Sequence, residues 1–221
     1  MLLTQNKPIE EVLESLGAEK NIFLLACNGC AEVCETGGEK GLSEMKAELE
    51  KAGKTITGRL NVDFLCNKVL VATRLAREMN KIEAADSILV LTCGIGVQAV
   101  SKIVNKVVHP SANTISVGGM QGLWASDERC EACGDCALDY TGGICPITFC
   151  AKSLLNGACG GTHDGKCEVD SEKECGWQLI YERLEKMGRL DNLKKFHKAR
   201  DHSKMYPSKE IREKTFYDIE K

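Results

Sequence analysis

Residues Ser87–Ala99 read SILVLTCGIGVQA, an unbroken apolar run that stops at a cysteine and a glycine-spaced turn. A short run without polar alternation is how a strand reads when both of its faces are covered, as in the middle of a parallel sheet. A second run of the same kind, IFLLA at Ile22–Ala26, lies upstream. Helical patterns alternate with these strands. PIEEVLESLG places Ile9, Val12, Leu13 and Leu16 on one face ahead of Gly17. A helix from about Leu42 carries Met45, Leu49 and Ala52 and stops at Gly53. After a weakly marked strand at Thr55–Thr57, a longer helix carries Leu65, Val69, Ala72, Leu75 and Met79. A helix over about Gly96–Val107 and a strand at Thr114–Val117 complete the β-α repeat, which predicts a doubly wound parallel sheet.

Cysteine divides the 221-residue chain. Five of its 13 cysteines lie before residue 126 and eight lie between Cys130 and Cys175. The start, MLLTQNKPIEEV, has no basic segment leading into an apolar one, so the expectation is a cytoplasmic protein whose thiols bind metal rather than form disulfides. Cys130, Cys133 and Cys136 form CxxCxxC, and Cys145 follows with Pro146 behind it. That pattern predicts a [4Fe-4S] site, because three closely spaced thiolates wrap one cluster and a more distant fourth completes it. Gly134, Gly142 and Gly143 allow backbone amides to turn toward sulfur. A tetrahedral zinc site is the rival, but it needs only one CxxC knuckle. Cys150, Cys159, Cys167 and Cys175 make a second set whose spacing does not separate a cluster from a structural zinc. A third set opens the first half: Cys27, Cys30 and Cys34 follow the first buried strand, and either Cys66 or Cys93 could close it. Ligands at the carboxyl ends of parallel strands are where such sheets place their sites. Thirteen thiols then fit three four-cysteine sites with one left over.

Other signals are weaker. Gly94, Gly96 and Ala99 match G-x-G-x-x-A, yet no Asp or Glu occurs between Asp86 and Asp127 to bind a ribose. His109, His163, His197 and His202 are scattered, and only His163 lies among cysteines. A net charge of −3 excludes a basic field for nucleic acid, and no apolar run is long enough to span a membrane. Seven glycines between Gly134 and Gly165 leave the second half little core of its own, so metal is expected to hold it together. An apolar stripe of Trp177, Ile180, Tyr181, Leu184 and Met187 predicts a helix ending near Gly188, and Trp124 and Trp177 flank the cysteine-rich segment. From Asp191 onward the chain carries a net +3, which reads as a solvated tail or as an arm that docks on a partner. The predicted architecture is α/β. A Rossmann-like parallel-sheet domain with a metal site (1–125) precedes a small loop-rich, cysteine-ligated iron–sulfur domain (126–190) and a C-terminal helical arm (191–221).

The run from CGDCALDYTGGICP through KSLLNG, CGG and GKCEV to the tryptophan–tyrosine helix, about Cys130 to Leu193, resembles the methylenetetrahydrofolate reductase C-terminal domain family. Its members include the iron–sulfur, or "zinc-finger", small subunits of the acetogen-type reductase. The resemblance implies a non-catalytic electron-transfer subunit holding two or three [4Fe-4S] clusters, with zinc the alternative at one site. It also implies a flavin-containing TIM-barrel reductase partner carrying FMN, and ferredoxin or another protein as electron donor.

Overall fold

The computed structural model describes residues 1–119, 128–206 and 208–210. Two compact units divide the chain, Met1–Met120 and Gln121–Lys221.

In the first unit, β1 (Leu2–Asn6), α1 (Ile9–Leu16) and β2 (Asn21–Cys27) are followed by a single turn, α2 (Cys30–Val33), and then α3 (Gly38–Lys51). Next come β3 (Thr55–Val62), α4 (Lys68–Leu75), a 3-10 turn at Ala76–Glu78 and α5 (Met79–Glu83). The unit continues with β4 (Ser87–Leu91), α6 (Gly94–Ser101), β5 (Val107–Pro110) and β6 (Ala112–Gly118). Four strands pair in parallel in the order β3-β2-β4-β5, as the expected α/β class requires. Ile22 to Cys27 and Ser87 to Leu91 are buried at every position. Side chains of a strand alternate between faces, which sorts these residues into two cores. Ile22, Leu24, Ala26, Leu89 and Leu91 meet Val12 and Leu16 of α1 and Leu42 and Leu49 of α3. Phe23, Leu25, Ile88 and Val90 meet Val71 and Leu75 of α4, Ile82 of α5 and Val100 of α6. Helices thus cover both faces, and each fully buried leucine contributes about 1.5–3 kcal/mol.

Three expectations are corrected in detail. Thr114–Val117 is not a strand of the parallel sheet: β6 pairs antiparallel with β1, and the fourth parallel strand is β5. The long helix from Leu65 to Met79 is broken at the 3-10 turn, and Val69 and Met79 are exposed while Leu65, Val71, Leu75 and Ile82 face the core. The helix placed at Gly96–Val107 begins and ends earlier, as α6, since Val107 belongs to β5.

The second unit has little regular structure: β7 (Arg129–Cys130), the one-turn α7 (Pro146–Phe149), a hairpin of β8 (Lys166–Cys167) with β9 (Asp170–Glu174), and α8 (Gly176–Lys186). Its small core gathers Cys175, Trp177, Ile180 and Leu184, with Tyr140, Ile144, Cys150, Leu154, Leu190 and Leu193 around them. Trp177 is the inward anchor of α8, and its Nε1 donates to the Leu154 carbonyl at 2.9 Å. Trp124 lies outside the described residues. Among the described residues no helix is long and apolar enough to cross a membrane.

Two measurements test this account. Leu24, fully buried between β3 and β4, is expected to cost about 2–5 kcal/mol on substitution by Ala, read from urea unfolding. Asp86 accepts the amides of Lys20 and Asn21, each at 2.8 Å, where β2 and β4 begin. The Asn21 amide first and the Lys20 amide next hold its carboxyl below the ordinary range. A carboxylate depressed in the folded state contributes stability above its unfolded value of about 3.9 and loses it as pH falls through the folded one. Asp86→Asn is therefore expected to lower the thermal midpoint at pH 7, with the gap from wild type narrowing as the pH drops below about 3.9.

Candidate functional site

The parallel strands bring cysteines to one end of the sheet. Chain order reverses between β2 and β4, the neighbours at the centre of the β3-β2-β4-β5 sheet, and such a switch point opens a crevice beyond the strand carboxyl ends. Cys27 ends β2, Cys30 opens α2 just after it, Cys66 follows β3, and Cys93 follows β4 as the residue before α6. These four share one electrostatic neighbourhood. The Cys66 thiol is pushed above its ordinary value by burial first and by the charge of Cys27 next, with Cys93 and Cys30 adding to it against the lowering effect of its own backbone amide. Cys34 stands apart. It lies at the far end of α2, its Sγ is 3.7 Å from the Leu2 carbonyl, and it is not among the charges acting on Cys66. Both Cys66 and Cys93 thus stand at the same end of the sheet as Cys27 and Cys30. The close approach of β2 to α3 needs Gly37, where a Cβ would lie 2.6 Å from the Cys27 carbonyl oxygen.

The glycines of CGIGVQA have local duties. The Gly94 amide donates to Thr114 Oγ1 at 2.8 Å, and a Cβ at Gly96 would sit 2.6 Å from Thr92 Oγ1.

In the second unit, Cys130, Cys133 and Cys136 lie on a loop curled by two left-handed residues, Ala132 at φ 53° and Gly134 at φ 75°. Successive amides in such a curl face the same concavity. The Ala132 amide donates to Cys130 Sγ at 3.3 Å. Cys145 precedes α7, and the Thr148 hydroxyl of that helix donates to the Arg129 carbonyl at 3.0 Å, tying it to the strand that ends in Cys130. The excursion between Cys136 and Cys145 is closed by Thr141. Its buried hydroxyl lies 3.1 Å from the Ala137 carbonyl and 2.6 Å from that of Ile144.

Cys150, Cys159, Cys167 and Cys175 line one pocket, together with Lys152, Ala158, Thr162, Glu168, Gly176 and Trp177. Lys152 and Glu168 form an ion pair on its wall. A Cβ at Gly176 would lie 2.9 Å from the Cys150 amide nitrogen, so only glycine lets α8 begin there. Burial acts to raise the Cys175 thiol, but hydrogen bonds from the Thr162 hydroxyl and from the Gln178 and Trp177 amides outweigh it and leave the thiol below its ordinary value. Thr162 Oγ1 is 3.0 Å from that sulfur. His163 does not line the pocket; its ring is exposed, with Nδ1 3.1 Å from Asp164 Oδ2.

The donor sets suit soft metals, which thiolate ligands select. In each set at least one sulfur accepts a hydrogen bond: Cys27 from the Gly29 amide at 3.4 Å, Cys130 from Ala132, and Cys175 from Thr162. Among the described residues, no group of three or more His, Cys, Asp or Glu side chains is drawn in tightly enough to hold a metal ion. The arrangement nevertheless fits the cofactor expected from the sequence in ligand type and in sulfur-directed donors. Thr141 and Thr162 escaped the sequence reading, because a threonine in a loop carries no signal of the atom it will reach.

Residues 109–203 match the family model described as "Methylene-tetrahydrofolate reductase C terminal". No curated protein matches the chain. Among solved structures, one described as "Crystal structure of arylmalonate decarboxylase" is similar at 14% identity, with a TM-score of 0.32, over 47% of this chain and 46% of that one. The chain thus spans about half the length of that structure. The matched span, residues 109–203, holds every cysteine of the second unit.

Proposed function

We propose that the chain is an iron–sulfur electron-transfer subunit that serves a flavin-containing methylenetetrahydrofolate reductase in one-carbon metabolism. The observation that carries this reading is the pocket lined by Cys150, Cys159, Cys167 and Cys175, joined to the CxxCxxC loop through a single helical turn. Cys145 stands immediately before that turn and Cys150 immediately after it, so one cysteine of each set is carried on the same short element. Cys27, Cys30, Cys66 and Cys93 form the third set in this proposal, and Cys34 is the thiol left over. A [4Fe-4S] cluster, when bound, accepts and returns one electron at a time. The chain's own part is to supply thiolates, aim amide and hydroxyl donors at them, and exclude water with the small core around Trp177. The loop-rich unit is accordingly read as an iron–sulfur domain and the first unit as a Rossmann-like carrier of a further cluster. The TIM-barrel reductase with its FMN is the partner in this proposal, and ferredoxin or another electron carrier is the donor.

Anaerobic purification followed by iron, sulfide and zinc analysis is expected to give roughly eight to twelve irons per chain, at about four per cluster, with visible absorption that bleaches under dithionite. Cys66→Ser should lower the iron content by about four per chain, whereas Cys34→Ser should leave it unchanged. Zinc without iron or colour would replace this function with that of a structural scaffold.

Cys133→Ser is expected to abolish electron delivery to the partner while the partner's flavin still turns over with an artificial donor. Unchanged delivery by that variant would exclude the CxxCxxC loop from the route.

A further inference from the structure

Beside the four-cysteine pocket lies a second one, of about 220 Å³, walled by the rings of Tyr140, Trp177 and Tyr181 and by Leu193 and Gly157. An engineered cavity of about 150 Å³ takes up benzene, whereas drug-sized ligands occupy about 300–1,000 Å³, so this pocket has the size of a single ring system. Its lining side chains are all uncharged, and their donors are already engaged. The Tyr140 hydroxyl donates to the Lys195 carbonyl at 2.9 Å, Trp177 Nε1 to the Leu154 carbonyl at 2.9 Å, the Gln178 amide to Glu182 Oε1 at 2.8 Å and the Thr162 hydroxyl to Cys175 Sγ at 3.0 Å. What remains to meet a guest is ring surface, which suits an uncharged planar group. Tyr181 is 42% exposed, so that wall is open to solvent.

The two elements that frame the pocket carry opposite charge. On the tail side, residues 194–198 read KKFHK, three lysines with no acid among them. Asn156 ties this segment to the unit, its Nδ2 donating to the His197 carbonyl at 2.9 Å and its Oδ1 accepting the His197 amide at 2.7 Å. Lys194 pairs with Asp191, Lys195 Nζ meets only the neutral amide oxygen of Asn192 at 3.1 Å, and Lys198 has no ion pair among the described residues. Cations farther along the tail are taken up elsewhere: Arg200 lies 3.0 Å from Glu131 and Lys204 2.9 Å from Asp135, where the Lys204 backbone packs against Gly134. Phe196, in the middle of the lysines, is 82% exposed. On the α8 side stand Glu182 and Glu185, which accept from Gln178 and from the Tyr181 hydroxyl.

We propose that this pocket is a docking socket for an aromatic side chain of a protein partner, presented between an acidic flank that meets Lys195 and Lys198 and a basic flank that meets Glu182 and Glu185. An aromatic anchor in a fitted pocket with a polar rim is how protein interfaces concentrate their binding energy. Ala158, Thr162 and Trp177 line both pockets, so a seated ring is separated from the set of Cys150, Cys159, Cys167 and Cys175 by one layer of side chains. That the partner is the one exchanging electrons with this chain rests on the function proposed above; the seating of the ring does not.

Fluorine NMR on the full chain, purified anaerobically, tests the socket with the blocked pentapeptide Asp-Asp-(4-fluoro-Phe)-Lys-Lys as probe. A saturable change in the fluorine signal is expected, with a dissociation constant on the order of 1 mM or tighter. The unlabelled peptide with Ala in place of Phe should compete at least about tenfold less well than its Phe counterpart. Tyr181→Ala should weaken the probe roughly three- to tenfold. Lys195→Glu/Lys198→Glu, confined to exposed side chains, should weaken it roughly two- to fivefold and leave competition by uncharged p-cresol unaltered. Dithionite should broaden the signal of the bound probe in an iron-bearing chain, because a reduced [4Fe-4S] cluster is paramagnetic. No saturable change up to about 10 mM probe, or equal competition by the Phe and Ala peptides, would overturn the socket. Saturable, Tyr181-dependent binding to a chain that holds no iron would sustain the socket and defeat the electron-transfer reading, whereas an iron-bearing chain that does not bind the probe would defeat the socket alone.

Discussion

The parallel pairing of β2 with β4, closed off from water on both faces, is the constraint on which the first unit depends. A strand buried on both sides has no polar face to give up, so every functional group it carries must be delivered at its end. That is where Cys27 and Cys93 emerge, on adjacent strands at the point where chain order reverses. Cys66 arrives from the third neighbouring strand, β3. The sheet therefore does more than support the thiols: its strand spacing of about 4.8 Å sets how closely the segments that carry them can approach.

The second unit solves the opposite problem. Its apolar core is a handful of residues around Trp177, too small to dictate the course of its loops. Order comes instead from single polar side chains that each close one excursion: Thr141 between Cys136 and Cys145, Thr148 between α7 and Arg129, and Asn156 across to His197. A net contribution of about 1 kcal/mol per such bond is modest, and only at buried Thr141 would losing one partner cost more than forming the bond gains. These loops are therefore held by a few bonds with little redundancy. Left-handed residues at Ala132, Gly142 and Gly143 complete the same design, since they bend the chain where no side-chain packing would.

What could be read from the sequence follows from these two modes of construction. β2 and β4 were legible because two-sided burial leaves an unbroken apolar run, whereas β3 reads weakly because, as an edge strand, TITGRLNV is only half covered. β1 left no readable trace, because LLTQN is short and its partner β6 lies more than a hundred residues away. The same remoteness hides the antiparallel pairing of Thr114–Val117 with β1. Cysteine spacing marked the CxxCxxC loop, and the fourfold spacing from Cys150 to Cys175 identified residues that do line one pocket. The place of Cys34 was illegible, because α2 is a single turn whose two ends lead Cys30 and Cys34 to different surroundings. The fate of the basic tail was equally hidden, since charge composition does not say which carboxylates Arg200 and Lys204 will find.

The distance in sequence between Lys204 and Asp135, 69 residues, also has a temporal meaning. A chain made from its N-terminus exposes the CxxCxxC loop first and the segment that lies over Gly134 much later. At about 5–20 residues per second, the delay is roughly 3 to 14 seconds. During that interval the three thiols of the loop are complete as a set, and the ion pairs of Arg200 with Glu131 and of Lys204 with Asp135 do not yet exist. Nascent chain and finished protein thus present the same cysteines beside different charges, two unpaired carboxylates at first and two paired ones at the end.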